Sequence, residues 1–183
     1  DSIGFSAPEL DAAIRELGKK AQDPYKLGLV ALYERNYPKA TELLTKSNTI
    51  RKDTKLKTDE AKERADEEFA DAAFFLGQSL YEQGEYQLAV EKFQETYLIR
   101  KDDPDVLNWI GLSEMESGEY AEAEPFLMNA YALREKTLGK EHPDTATSLD
   151  NLAGLYGKQG KYAEAEPLHR RALEIYENTL GKE

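Results

Sequence analysis

The chain has 183 residues, 40% of them hydrophobic and 33% charged, with 24 Lys and Arg against 36 Asp and Glu and a formal net charge of −12. That length can bury a real core, as one domain or as a repeat array, and a charge of this sign repels phosphate backbones and anionic lipid, which argues against nucleic acid as a partner. With no cysteine there is no disulfide framework, thiolate metal site or cysteine nucleophile, and the longest apolar stretches, "LGLVALY" (27–33) and "AAFFLG" (72–77), fall far short of the roughly 20 residues of a membrane-spanning helix.

In chain order, the opening "DSIGF" lacks a methionine and a signal-like apolar run. It reads as a processed product or an excised piece, with the cytoplasm favoured over export. "SAPELDAAIRELGKKAQ" follows, with Ser6 placed as N-cap, Pro8 in the first turn and Glu9 at the capping-box position, and with Leu10, Ile14 and Leu17 on one face. An amino-terminal helix is expected over 6–22. Its expected task is to cover the apolar end of whatever follows, with anchoring of a partner as the alternative.

The rest of the chain repeats itself. Four segments align: "YKLGLVALYERNYPKATELL" from Tyr25, "FFLGQSLYEQGEYQLAVEKF" from Phe74, "NWIGLSEMESGEYAEAEPFL" from Asn108 and "DNLAGLYGKQGKYAEAEPLH" from Asp150. Each has a small residue (Gly28, Gly77, Gly111, Ala153), a tyrosine nine positions on (Tyr37, Tyr86, Tyr120, Tyr162) and an alanine three beyond that (Ala40, Ala89, Ala123, Ala165). Stripes at helical spacing, such as Ala73, Leu76, Gly77 and Leu80 before the tyrosine and Ala89, Phe93, Thr96 and Ile99 after it, predict two amphipathic helices per segment. The small residues let the two axes approach, and the tyrosine is expected to fill the mouth of the hairpin. One hairpin cannot cover its own apolar faces, so neighbours must stack.

Boundaries follow from this register: repeats over 23–54, 70–103, 104–144 and 145–183, and a charged insert over 55–69. Around the insert, "TIRKDTKLKTDEAKERADEEF" (49–69) carries opposite charges at helical spacing. That predicts solvated helix extensions on both sides of a break near Thr54–Thr58. Pro125 and Pro167 come two residues after Ala123 and Ala165. Because proline is tolerated in a first turn, the second helices of these repeats are expected to begin near Ala121 and Ala163.

This order of small, Tyr, Ala and large apolar positions resembles the tetratricopeptide repeat, a helix–turn–helix unit of 34 residues. The intervals between the tyrosines are 49, 34 and 42 residues, and the 42-residue step resembles the longer repeat of kinesin light chains and many bacterial repeat proteins. The resemblance implies an all-α, right-handed solenoid of four hairpins. The final "TLGKE", which in the preceding copy continues "HPDTA", suggests further repeats beyond it.

Chemistry finds little support. "GLYGKQGKYAEAEP" (154–167) fails as a phosphate loop, since Gly154 and Gly160 are one residue too far apart and Tyr162 follows Lys161 where a metal-binding hydroxyl is needed. Gly84, Gly118 and Gly160 recur two residues before a repeat tyrosine, which makes them turn punctuation. His142 and His169 have no triad or metal-ligand spacing around them, so neither a catalytic site, a metal nor a cofactor is expected.

What the resemblance implies instead is a concave face lined by the first helix of each pair, which in the family holds peptides or helices of partner proteins. Carried onto this chain, the face comprises Tyr25, Leu29, Leu32 and Tyr33; Phe74, Gln78, Tyr81 and Glu82; Asn108, Leu112, Met115 and Glu116; and Thr147, Asn151, Gly154 and Lys158. The positions used by the carboxylate-clamping members of the family are here mostly apolar or acidic, and the groove is not basic as in kinesin light chains. A hydrophobic or aromatic partner segment with basic flanks is the better match to this face and to −12. The expected function is a non-catalytic adaptor. The alternatives are a module that self-associates through its ends, with Leu173 and Ile175 in the contact, and a regulatory fragment of a larger enzyme.

Overall fold

The computed structural model describes residues 22–52 and 59–180; the helix expected from Ser6 falls outside them up to residue 21, as do the break expected at Thr54–Thr58 and residues 181–183. The described residues form helices and no strands, in two compact units that divide after Ile99.

The first unit contains α1 (Pro24–Tyr33), α2 (Tyr37–Lys52), α3 (Asp59–Glu82) and α4 (Tyr86–Tyr97). The Asp23 carboxylate starts α1 by accepting the Tyr25 N–H at 3.0 Å, and Pro24 fits the first helical position, where its missing N–H has no partner to lose. Each hairpin closes on a glycine. A Cβ on Gly28 or on Gly77 would come within 2.7 Å of the side chain of Leu44 or Phe93, and both large residues are fully buried. The stripe Ala73, Leu76, Gly77 and Leu80 is buried as expected, as are Ala89, Phe93 and Thr96, whereas Ile99 lies past the end of α4 in a turn and is half-buried. A polar seam joins α2 to α3: Gln83 donates to the Thr41 hydroxyl at 2.8 Å, Thr41 lies 2.8 Å from the buried Ser79 hydroxyl, and Ser79 donates to the Tyr37 carbonyl at 3.2 Å. With each group partnered, the seam is buried without the cost of an orphaned hydroxyl.

The second unit contains α5 (Pro104–Ser117), α6 (Tyr120–Leu138), α7 (Pro143–Lys158) and α8 (Tyr162–Leu180). Asp103 caps α5 by accepting the Asp105 N–H at 2.8 Å, and His142 caps α7 by accepting the Asp144 N–H on Nδ1 at 3.1 Å. A Cβ on Gly111 would lie 2.6 Å from Leu127. Leu127 joins Met115, Ala123, Leu152 and Leu155 in one apolar cluster; Ala146, Leu149, Ala172 and Ile175 make another, and Tyr131 and Leu168 pack against both. Arg134 is buried between three helices, donating to the Ser148 hydroxyl at 2.9 Å and the Asp144 carbonyl at 3.3 Å of α7, and to the Asp105 carboxylate of α5.

All four hairpin turns close alike, with an N–H bonded to the carbonyl five residues back: Asn36 to Ala31 at 2.8 Å, Glu85 to Leu80 at 2.9 Å, Glu119 to Glu114 at 2.9 Å and Lys161 to Tyr156 at 2.8 Å. Such a turn needs one left-handed residue. Gly84, Gly118 and Gly160 supply it in three of the turns, and Arg35 does so in the first at φ 55°.

Two expectations require correction. The helices α6 and α8 begin at Tyr120 and Tyr162, close to the expected Ala121 and Ala163, but Pro125 and Pro167 lie in the second turn rather than the first, where each removes a bond to the carbonyl of Ala121 or Ala163. These prolines and alanines are exposed, so water can take the bond's place. Ile175 has no exposed surface and belongs to the core, leaving Leu173, 55% exposed, as the surface residue of the two.

Candidate functional site

The residues expected on the binding face all fall on first helices: Tyr25, Leu29, Leu32 and Tyr33 on α1, Phe74, Gln78, Tyr81 and Glu82 on α3, Asn108, Leu112, Met115 and Glu116 on α5, and Thr147, Asn151, Gly154 and Lys158 on α7. In the first unit, Tyr25 donates to the Asp71 carboxylate at 3.4 Å, which places α1 beside α3. The side chain of Tyr33 falls outside the described residues. Phe74 packs edge-on against Phe93, with ring centroids 5.6 Å apart, and Tyr81 packs against Tyr86 at 5.3 Å. Both rings are half-buried, so much of their surface is committed to their own hairpin.

The second unit assembles a clearer surface. Asn151 donates to the Asn108 side-chain oxygen at 2.7 Å, and Lys158 donates to Glu116 at 3.0 Å, so α5 and α7 lie side by side. Asn108, Leu112 and Glu116 recur every four residues on one face of α5, as do Asn151, Gly154 and Lys158 at i, i+3 and i+7 on α7. The result is a strip of about 12 Å, at 1.5 Å per residue, with an amide pair at one end and an ion pair at the other. Its middle is open. Leu112 is half-buried there, and a Cβ added to Gly154 would meet nothing within 4 Å. Met115, assigned to the same face, is buried in the apolar cluster and does not reach the strip surface. Thr147 is held by the Tyr176 hydroxyl at 3.0 Å.

Ionisable groups elsewhere in the unit have structural explanations. His169 occupies the register of Leu44, Phe93 and Leu127, yet it is exposed and lies 2.6 Å from Asp150. The residue opposite it is Ala153 rather than glycine, which leaves less room for a large inward side chain. Glu114 was not singled out by the sequence pattern. It is buried, its Oε2 has no hydrogen-bond partner, and its pKa is pushed up to about 7, first by burial and then by the charges of Glu122 and Glu119. Among the described residues no group of three or more His, Asp or Glu side chains could hold a metal ion, and no helix is long and apolar enough to cross a membrane.

A second surface contains Leu173, expected at a self-associating end, and adds residues the sequence reading did not place there. Tyr162, expected to fill a hairpin mouth as Tyr120 does, is instead 73% exposed. With Leu173, Glu166, His169 and Gly157 it lines an open depression of about 600 Å³ on α8. The 42-residue offset between α6 and α8 was the signal that could have shown it, because it places Tyr162 and Leu173 at the packing positions of Tyr120 and Tyr131.

Two tetratricopeptide repeat models match the chain, over residues 25–106 and 102–178. No curated protein matches it. Among solved structures, a kinesin light chain-like protein of Podosopora anserina with nearly identical TPR-like repeats aligns at a TM-score of 0.69 and 21% identity, covering 94% of this chain and 86% of that one. BtubC (BKLC) from P. vanneervenii aligns at a TM-score of 0.70 and 17% identity, covering 95% and 75%. MamA from Desulfovibrio magneticus RS-1 aligns at a TM-score of 0.70 and 13% identity, covering 94% and 86%. At these identities the likeness shows the fold, an all-α helical-repeat solenoid.

Proposed function

Since the chain belongs to the tetratricopeptide repeat family, whose repeats generally mediate protein–protein interaction, we propose that it is a non-catalytic adaptor holding a segment of a partner protein against its first helices. The observation that carries this reading is the strip on α5 and α7. It has unoccupied space above Gly154, an apolar wall at Leu112, and amide and charged groups at its two ends. A hydrophobic or aromatic side chain fits the gap, while the amide pair can bond the backbone of the same segment. Basic residues flanking that side chain suit the charge of −12.

Gly154→Phe fills the gap without meeting a neighbour at its Cβ, so the variant is expected to fold, which circular dichroism can verify. Proteins captured from the source lysate by the parent chain and lost by this variant, and by Asn151→Ala, support the reading. Retention of the same set by both folded variants refutes it.

A further inference from the structure

At the turn between α5 and α6, we infer that Glu114, Glu119 and Glu122 form a receptor site for an arginine side chain of a partner protein. Glu114 is only 7% exposed, and among the described residues its Oε2 has no hydrogen-bond partner. A carboxylate oxygen sealed in this way costs free energy until a donor reaches it. The turn brings two more carboxylates toward it. The Glu119 N–H is bonded to the Glu114 carbonyl at 2.9 Å, and Glu119 stands at the N-cap of α6 without using its side chain as a cap. Glu122 lies in the first turn of the same helix. Both are exposed, and among the described residues the charges that act on Glu114 are these two, both negative.

The hairpin of α7 and α8 shows a cation at this place. At an offset of 42 residues, Glu114, Glu119 and Glu122 correspond to Tyr156, Lys161 and Glu164. There Lys161 Nζ lies 5.4 Å from the centre of the Tyr156 ring and 4.0 Å from the Glu124 carboxylate. The fold thus sets an ammonium group over the side chain at this register, whereas the α5–α6 turn has a third carboxylate where the lysine stands. Ala31 and Leu80, buried at the same register in the other two hairpins, are apolar and need no such partner. Among the described residues no three acidic or histidine side chains converge closely enough to hold a metal ion. A longer, forked donor is needed, and the five N–H groups of a guanidinium can serve Glu114 together with Glu119 or Glu122. Because Oε2 is sealed, the arginine meets it as Glu114 turns outward between the other two. Glu114 and Glu116 are two residues apart on α5 and so face apart, which separates this site from the strip.

Glu114 titrates at about 7 because burial and then the charges of Glu122 and Glu119 disfavour its ionised form. An arginine beside it opposes those charges, so docking should lower that value. The probe is the peptide acetyl-Gly-Arg-Gly-amide, with the citrulline peptide, which keeps the shape and lacks the charge, as control. Side-chain carboxyl NMR follows Glu114, its resonance assigned through Glu114→Gln. The arginine peptide is expected to lower the pH at which Glu114 titrates by about 1 or more, and the citrulline peptide to leave it in place. Glu119→Lys, at an exposed position, recreates the Lys161 arrangement. It should lower the Glu114 value without any peptide and abolish the effect of adding one. The site rests on the adaptor reading only for the existence of a partner, and Asn151→Ala, which disables the strip, should leave the response to arginine intact. The two proposals can therefore fail separately. This one is overturned if Glu114 titrates at the same pH with and without the arginine peptide, if the citrulline peptide acts equally, or if Glu119→Lys leaves Glu114 unmoved. A response confined to Glu119 and Glu122 also overturns it, since that is surface attraction without a site.

Discussion

Arg35 holds the left-handed turn position that Gly84, Gly118 and Gly160 hold in the other hairpins, at φ 55°. A side chain there costs about 1–2 kcal/mol, and glycine gives back part of that gain through its freer unfolded chain. Arg35→Gly is therefore expected to stabilise the protein by roughly 0.5–1 kcal/mol in urea unfolding. Glycines inside helices separate in sign. Gly111→Ala drives a Cβ to 2.6 Å from Leu127 and 3.2 Å from the Ala123 carbonyl and should cost about 1–3 kcal/mol. Gly154→Ala meets nothing and should gain about 0.5–1 kcal/mol. Glu114 makes stability depend on pH. Its folded pKa of about 7 stands above the ordinary 4.5, so between these values the folded state binds the extra proton and stability falls as pH rises. The loss is on the order of 3 kcal/mol and complete a little above pH 7. Glu114→Gln should flatten urea midpoints between pH 5 and 8 and exceed the parent at pH 8; an unchanged slope would refute the assignment.

At the scale of elements, the helices were legible because the repeat states its own geometry: Gly28, Gly77 and Gly111 mark three of the close approaches, and Gly84, Gly118 and Gly160 mark three of the four turns. The exceptions lie where one copy substitutes a residue type without changing the period. Pro125 and Pro167 were assigned to the first turn of helices whose starts, Tyr120 and Tyr162, lie one residue from those expected, yet each proline falls in the turn after, because the period marks where a helix begins and not where a proline inside it is tolerated. The candidate strip was legible as a set of positions, but its Asn108–Asn151 pair joins residues 43 apart and depends on two helices lying side by side, which no local pattern states. Arg134 was invisible for the same reason, since its partners Asp105, Asp144 and Ser148 come from two other helices. Arg134→Met keeps the buried stem but loses those bonds, and should cost about 2 kcal/mol. Asp105→Asn should cost less than about 1 kcal/mol, because that carboxylate is 63% exposed. Equal losses from the two in urea unfolding would mean that the Asp105 bond alone matters.

For the whole molecule, the charge of −12 opposes compaction while the ion pairs that offset it are weak. Lys92–Glu95, Arg170–Glu166 and Arg171–Glu174 lie within single helices at partly or largely exposed positions, where water screens the attraction and such pairs add little to stability. Salt screens attraction and repulsion alike, with a Debye length that falls from about 10 Å at 0.1 M to about 3 Å at 1 M. Screening the excess negative charge should outweigh the loss of a few such pairs, and the bonds of the buried Arg134 are screened least. The Tm is accordingly expected to rise between 0.05 and 0.5 M NaCl at pH 7, with a fall meaning that the pairs dominate. Association with a partner bearing basic flanks should respond in the opposite sense, because its encounter is steered by the same unscreened charge. If salt raises the Tm and slows capture of the partner together, the charge that strains the fold is also what recruits the ligand. If capture is indifferent to salt while the Tm rises, recognition rests on the apolar gap over Gly154, and the basic flanks drop out of the description of the partner.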